Sequence, residues 1–302
     1  VMRFTARQTT RLGNRSSNQD RSLILADADA VLLAVADGMG GHARGDLAAQ
    51  AFIDSLARQF RQRDPLQAPG EFLTRSLEAA HRTIIAVGQA QRPPIEPLTT
   101  AVVCLVSDDT AHWAHVGDSR LYLLRDGAVV FQTRDHTPLA DMLDAGLISA
   151  RQARSHRLRN QVSRCLGGQG TCPEPSLGPT AWLQPGDVLL LCSDGFWSPL
   201  DPEALPELTA SEDLADRLET LAVTAEASSY PHSDNVTAAA LRWEGADSGE
   251  QNPPQPADQH GDAADTPQSS LDRAIAAIEQ AMAEYADEIP PDAPAQDRSR
   301  SV

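Results

Sequence analysis

The chain contains no lysine: all 25 of its basic residues are arginine, set against 42 acids for a net charge of −17 over 302 residues. No basic stripe interrupts this acidic surplus, which argues against a nucleic acid as partner. No apolar run approaches the roughly 18 residues of a membrane-crossing helix, so no membrane span is expected. The first residues, Val1-Met2-Arg3-Phe4-Thr5-Ala6-Arg7, read as a strand without the apolar core of a secretory signal. The four cysteines, Cys104, Cys165, Cys172 and Cys192, form no C-x-x-C pair and no zinc spacing. Cys104 and Cys192 sit inside apolar runs and read as buried thiols, so a disulfide framework is not expected and a reducing cytoplasm is. Hydrophobic residues make up 41% of the chain, enough for a packed core.

Composition divides the chain near residue 244. From Glu244 onward, thirteen acids against three arginines leave this tail at −10 and the preceding residues at −7. The tail is polar, acidic and Pro-rich (Pro253-Pro254-Gln255-Pro256), a composition that buries little and is expected to be mostly disordered. One island stands out, where Leu271, Ile275, Ile278, Met282 and Tyr285 recur at a/d spacing. Ser269-Ser270-Leu271-Asp272 offers a capping box. A short amphipathic helix is therefore expected at about 270–287, docking on a partner or on the body, because two heptads are marginal alone.

Residues 1–243 carry the pattern of one domain. Strands are expected at 3–9, 22–26, 31–36, 98–106, 111–116, 119–125, 128–133, 187–192 and 236–243. Asp126-Gly127 between two of them is a type I′ hairpin signal. Helical pattern covers 43–60, 71–88, 139–145, 149–155 and 211–227. Hairpins mixed with helical pairs imply antiparallel sheets covered by helices, an α+β architecture rather than a doubly wound parallel sheet.

Three stretches place an aspartate beside an apolar run. They are Val31-Leu-Leu-Ala-Val-Ala-Asp37-Gly38, Leu189-Leu-Leu-Cys-Ser-Asp194-Gly195, and His232-Ser-Asp234-Asn235 ahead of Val236. Such runs imply buried strands, and an aspartate at a strand end points from a rigid frame. Several such groups converging cannot all stay ionised unless a cation sits between them. Hard divalent ions with oxygen ligands, Mg or Mn, suit that need. Other polar segments are equivocal one by one. Asp37-Gly-Met-Gly-Gly-His42 reads equally as a turn, because Asp-Gly is common there. Arg15-Ser-Ser-Asn-Gln-Asp20 pairs a phosphate-matching fork with a metal-matching carboxylate, yet is also an ordinary polar loop. His115-Val-Gly117-Asp118-Ser119-Arg120 reads as a hairpin corner or as a further carboxylate at a sheet edge.

Their order is more specific than any one of them. Arg15-x-x-Asn18-Gln19-Asp20, Asp37-Gly-Met-Gly-Gly-His42, Thr99-Thr100, Gly117-Asp118-Ser119-Arg120-Leu-Tyr122, Thr133-Arg-Asp135-His136, Leu143-Asp-Ala-Gly146, Arg159-Asn160-x-x-Ser163-Arg164, Ser193-Asp194-Gly195 and Asp234-Asn235 follow one another over about residues 3–243. In this the chain resembles the bacterial branch of the metal-dependent serine/threonine protein phosphatases, the PPM family (type 2C). The resemblance implies a four-layer αββα fold, an antiparallel β-sandwich flanked by helical pairs, with Mn²⁺ or Mg²⁺ at one end. It implies that Asp37 bridges two ions, that the Gly38 carbonyl binds one of them, and that Asp194 and Asp234 bind the other. Asp20 would hold metal-bound water or bind directly, and Asp118 with the Ser163 carbonyl resembles the third-metal site of bacterial members. Arg15 would grip the phosphate, His42 would donate the proton, and about 137–170 would form a flap. Two ions about 3.5–4 Å apart can share a water and bring its pKa toward neutral, giving a hydroxide that attacks phosphorus directly. The implied role is phosphoserine and phosphothreonine hydrolysis in signalling, on phosphoproteins of a eukaryotic-like kinase.

The chain departs from that pattern at Gln19 and Asp46, where glutamate is usual, and at Leu98, where glycine is common. None of these removes an implied ligand, so a working enzyme is expected rather than a catalytically weak, metal-binding phosphoprotein sensor (a pseudophosphatase). Two other chemistries are set aside. Asp27-Ala-Asp29-Ala-Val31 matches the haloacid-dehalogenase D-x-D-x-V pattern, but that class requires a downstream lysine, and Asp27-Ala-Asp29 reads better as a hairpin turn. No cysteine has the C-x5-R spacing of cysteine-dependent phosphatases.

Overall fold

The computed structural model describes residues 2–39, 44–153, 156–159 and 161–246. His42 and the expected helix at 270–287 lie outside these residues, as does the tail from 247 onward. In chain order the elements are β1 (Met2–Arg11), β2 (Asp20–Ala26), β3 (Ala30–Met39), α1 (Gly45–Arg61), α2 (Pro69–Gln89), β4 (Leu98–Thr99), β5 (Ala101–Ser107), β6 (Thr110–Val116), β7 (Arg120–Arg125) and β8 (Ala128–Gln132). There follow α3 (Pro138–Asp144), α4 (Ala150–Ala153), β9 (Leu166–Gly167), β10 (Ser176–Leu177), β11 (Ala181–Trp182), β12 (Val188–Cys192), α5 (Asp194–Trp197), α6 (Glu207–Ala210), α7 (Leu214–Ser229) and β13 (Val236–Ala246). Two compact units emerge, one of residues up to Thr137 and from Val162, the other of Pro138–Gln161.

The larger unit is a sandwich of two antiparallel sheets. One sheet runs β1-β13-β12-β7-β8; the other runs β10-β6-β5-β3-β4-β9, with β2 paired to β3 and β11 to β6. Alternation along β3 explains the layering, since successive strand residues face opposite sides. Val31, Leu33 and Val35 join Val102, Cys104, Leu189, Leu191 and Trp243 between the sheets. Leu32, Ala34 and Ala36 face the other way, onto Phe52, Leu56, Leu73 and Leu77 of α1 and α2. On the opposite outer face Leu190, Cys192 and Ala240 pack against Phe196, Leu218 and Leu221 of α5 and α7. Strands buried on both faces read as continuous apolar runs, which is how β3, β5 and β12 read. Four layers, αββα, result, as expected. The smaller unit holds α3 and α4 around Leu139 and Leu158, with Ile148 and Ala153 packed against them.

Some expected boundaries shift. The strand expected over 98–106 is two, because the chain bends at Thr100, whose backbone N–H leaves the ladder to donate to the Asp37 carbonyl at 2.9 Å. The last strand continues past Trp243 to Ala246, in register with Met2. The Asp126-Gly127 hairpin has the expected geometry, with φ of 50° and 74°. Among the described residues, no helix is long and apolar enough to cross a membrane.

Candidate functional site

The register of β2 against β3 places Asp20 directly opposite Asp37. Cross-strand neighbours stand about 4.5–5.5 Å apart at Cβ, and like charges there repel. Each acid is nevertheless held in place. Asp20 is buried and accepts from Ser193 Oγ at 2.8 Å. The Asp37 carbonyl accepts from Thr99 Oγ1 and from the Thr100 N–H, both at 2.9 Å. Gly38 donates its N–H to the Gln19 carbonyl at 3.2 Å. A Cβ at Gly38 would collide with the Gly45 backbone, so glycine lets α1 begin against the end of β3.

The opposite sheet supplies two more acids to this end. Asp194 opens α5 just after β12, and Asp234 precedes β13, with the Ser193 N–H on the Thr237 carbonyl at 3.0 Å tying the two strands together. Asp118 follows β6 and is buried. Desolvation pushes the Asp20 carboxyl up to about 7, with the charges of Asp194 and Asp234 adding to the rise against hydrogen bonds from Ser193 and Thr237. Desolvation, then the charges of Asp20, Asp194 and Asp118, lift Asp37 well above the usual carboxylate range. Asp118 is raised by desolvation and then by Asp194 and Asp135. Asp194 is raised by desolvation and by Asp234, partly offset by a hydrogen bond with Asp37. Burial and mutual repulsion thus act together on acids from β2, β3, the β6–β7 turn and the start of α5.

Among the described residues, cations act on these acids from Arg15, beside Asp234 and Asp194, and from Arg120, beside Asp118. Arg15 Nη2 meets Asp234 Oδ2 at 2.6 Å, with both side chains substantially exposed. Asp194 Oδ1 is buried and has no hydrogen-bond partner among the described residues. Such an orphaned oxygen, in an all-oxygen donor set, fits a hard divalent cation. Among the described residues, no group of three or more His, Cys, Asp or Glu side chains is placed so that it could hold a metal ion. Ions of the Mg type keep several waters and take one or two carboxylates each, so the open arrangement still suits them.

The Arg15 loop is fastened to this end by Asn235. Its Oδ1 accepts from the Gln19 N–H at 2.8 Å, and its Nδ2 donates to the Leu12 and Ser17 carbonyls at 2.8 and 3.1 Å. Ser163 is exposed; its N–H donates to the His136 carbonyl at 2.9 Å, and the His136 N–H donates to the Gly117 carbonyl at 3.0 Å, one residue from Asp118. Every expected site residue except His42 therefore lies at this end of the sandwich or one hydrogen-bonded residue from it. Ser193, Thr99, Thr100 and Asn235 hold these groups without having been assigned a role from sequence. Their only sequence signal is adjacency to an aspartate or membership of a matched motif.

The alternative nucleophiles are placed elsewhere. Asp27 lies at the far end of β2, capping its own turn through the Asp29 and Ala30 N–H groups and paired with Arg63. Cys104 and Cys192 are buried, and desolvation pushes both thiols far up, which keeps them unreactive.

Comparison with known proteins matches the sequence and the fold of the chain to one family. Residues 7–237 match the family model described as protein phosphatase 2C. The serine/threonine protein phosphatase PstP of Mycobacterium tuberculosis is 36% identical over 241 residues, covering 78% of this chain. The chain spans only 44% of the length of that relative. A serine/threonine phosphatase structure from S. agalactiae superposes with a TM-score of 0.72 at 28% identity, over 80% of this chain and 100% of the other. The catalytic domain of PstP in complex with two manganese ions gives a TM-score of 0.66 at 32% identity, over 80% and 97%.

Proposed function

The chain belongs to the protein phosphatase 2C family, and from that premise we propose that it is a metal-dependent phosphoprotein phosphatase acting on phosphoserine and phosphothreonine. The observation that carries the reading is the cross-strand pair Asp20 and Asp37, set against Asp194 with its unpartnered buried oxygen. In this proposal Asp37, the Gly38 carbonyl, Asp194 and Asp234 would hold two Mn²⁺ or Mg²⁺ ions, Asp37 being shared between them. Asp20 orients water beside them, and Asp118 with the Ser163 carbonyl offers a place for a third ion. When bound there, the ions acidify a water and draw charge from the phosphoryl oxygens.

The chain's own residues do the rest. Asp20 and Asp37 stand on strands locked by a ladder, so their carboxylates need little reorganisation during reaction. Arg15 presents a planar fork suited to two phosphoryl oxygens. Its pairing with Asp234 keeps it at the site before substrate arrives. Phosphate would compete with that acid for the guanidinium, so the Asp234 carboxylate would be free to hold an ion. The proton for the leaving seryl or threonyl oxygen is assigned to His42 on the sequence motif alone. No carboxylate of the set is missing, which favours catalysis over a sensor role. We assign the enzyme to the reducing cytoplasm on its four unpaired cysteines, and its substrates to phosphoproteins made by a eukaryotic-like kinase on the family resemblance.

The test is hydrolysis of p-nitrophenyl phosphate and of a phosphothreonyl peptide with Mn²⁺, with and without EDTA. Turnover that EDTA abolishes and excess Mn²⁺ restores is expected. Turnover indifferent to EDTA, or a trapped aspartyl-phosphate, would defeat the proposal.

A further inference from the structure

The turn that carries Asp118 is gripped at each of its residues. The Gly117 N–H donates to His136 Nδ1 at 3.1 Å, and its carbonyl accepts from the His136 N–H at 3.0 Å. Gly117 has φ 107°, and a Cβ there would strike the Thr100 side chain. Ser119 Oγ shares a 2.7 Å hydrogen bond with Thr100 Oγ1. The Asp118 carbonyl accepts from the indole Nε1–H of Trp197 at 3.0 Å.

Trp197 is the last residue of α5, the single-turn helix that Asp194 opens. One indole therefore ties the backbone of Asp118 to the short helix carrying Asp194. The ring is itself held. The Arg120 guanidinium lies 3.3 Å from the ring centroid, while its Nε and Nη2 donate to the two Asp135 oxygens at 2.8 Å each. Arg120 also donates to the Tyr122 hydroxyl at 3.0 Å. Asp135 adjoins His136, which grips Gly117. The path from Asp118 through Trp197, Arg120, Asp135 and His136 back to Gly117 is a closed ring of contacts. A cation stacked on an aromatic face and clamped by a carboxylate is a costly arrangement to displace, so the indole has little freedom to turn away.

We propose that Trp197 is a positioning residue for metal binding, fixing Asp118 at the spacing from Asp194 at which the two carboxylates serve neighbouring ions. The proposal rests on the phosphatase reading above. Groups behind metal ligands commonly change metal affinity by about 10–100-fold when lost, and a single hydrogen bond to a ligand's backbone belongs at the low end of that range.

Calorimetric Mn²⁺ titration of the full chain tests it. Wild type is expected to show a weaker class of sites that Asp118→Asn removes. Trp197→Phe is expected to weaken that class about tenfold while the tight class is unchanged, and to add nothing in the Asp118→Asn background. Wild-type affinity in Trp197→Phe would overturn the proposal and leave the phosphatase reading standing. A wild-type chain that takes up no Mn²⁺ would overturn both. Phenylalanine leaves space under Arg120, so a second measurement keeps the ring shape. Replacing every tryptophan by β-benzothienylalanine swaps the indole N–H for sulfur. Trp113 and Trp243 make no indole hydrogen bond and Trp182 is exposed, so the bond lost is the one to Asp118. The same tenfold weakening is expected, and unchanged binding would overturn the proposal.

Discussion

Strand β12 has a buried aspartate oxygen at each end, and the two are treated in opposite ways. Before the strand, Asp187 is 1% exposed and fully partnered: Arg125 donates to its two oxygens at 2.8 and 2.7 Å, and the Gln184 N–H adds a third bond at 2.8 Å. After the strand, Asp194 has acids for neighbours and one buried oxygen without a partner. The same residue type, on either side of a five-residue strand, is completed by the fold at one end and left incomplete at the other. An acid that only builds structure brings its own cation. Asp194, which we propose holds a divalent ion, has no such partner for its buried oxygen among the described residues.

The comparison breaks most visibly in turnover. Asp37→Asn or Asp194→Asn is expected to lower kcat by about a thousandfold or more, beyond the 10²–10³ typical of losing one electrostatic contact, whereas Asp187→Asn should leave kcat per folded molecule near wild type. Wild-type kcat in Asp37→Asn would end its bridging role. Stability should move the other way. Asp187→Asn removes charge from a bidentate pair whose arginine is partly exposed, and is expected to cost about 2 kcal/mol in urea unfolding. Asp194→Asn should raise the Tm of EDTA-treated protein, since it removes a charge that its neighbours oppose. A fall in both variants would erase the distinction.

The contrast can also be sharpened with pH. Asp20 is raised to about 7 in the folded, metal-free chain, by burial first and then by Asp194 and Asp234, against roughly 3.9 unfolded. Between those values the folded state holds a proton that the unfolded state has released. Metal-free stability should therefore fall as pH rises from about 4 to about 7, then level off. Mn²⁺ should restore Tm most strongly at the upper end of that window. A metal-free Tm that climbs through it would contradict the cluster's electrostatics. Arg15→Ala is expected to raise KM about tenfold with kcat less affected, because phosphate loses one fork; an unchanged KM would remove Arg15 from the substrate. The smallest effect is reserved for the acidic tail. Ending the chain at Ala246 should leave small-substrate turnover within about twofold, and a truncated body that fails to fold would return the tail to the core.

The same contrast marks what sequence alone makes legible. Apolar runs of one strand's length identified β3, β5 and β12, and each aspartate was visible because it interrupts such a run. The Asp27 turn and the Asp126-Gly127 hairpin were legible because their chemistry is local. The facing of Asp20 and Asp37 was not, since register belongs to a pair of strands rather than to either one. Ser193 bonds Asp20 across 173 positions, and Asn235 reaches Leu12 across 223, so nothing short-range announces those roles. The two-residue strands β9, β10 and β11 are too short for alternation to declare itself. Helix α5 escaped notice because one turn has no period, and nothing local in the sequence singles out Trp197, whose indole bonds a carbonyl 79 positions away.

The segment Pro138–Gln161 is bracketed by a main-chain hydrogen bond, the Ser163 N–H on the His136 carbonyl at 2.9 Å. Because donor and acceptor are both main-chain atoms, no change of side chain at either residue removes the bond except proline at 163, which has no N–H to give.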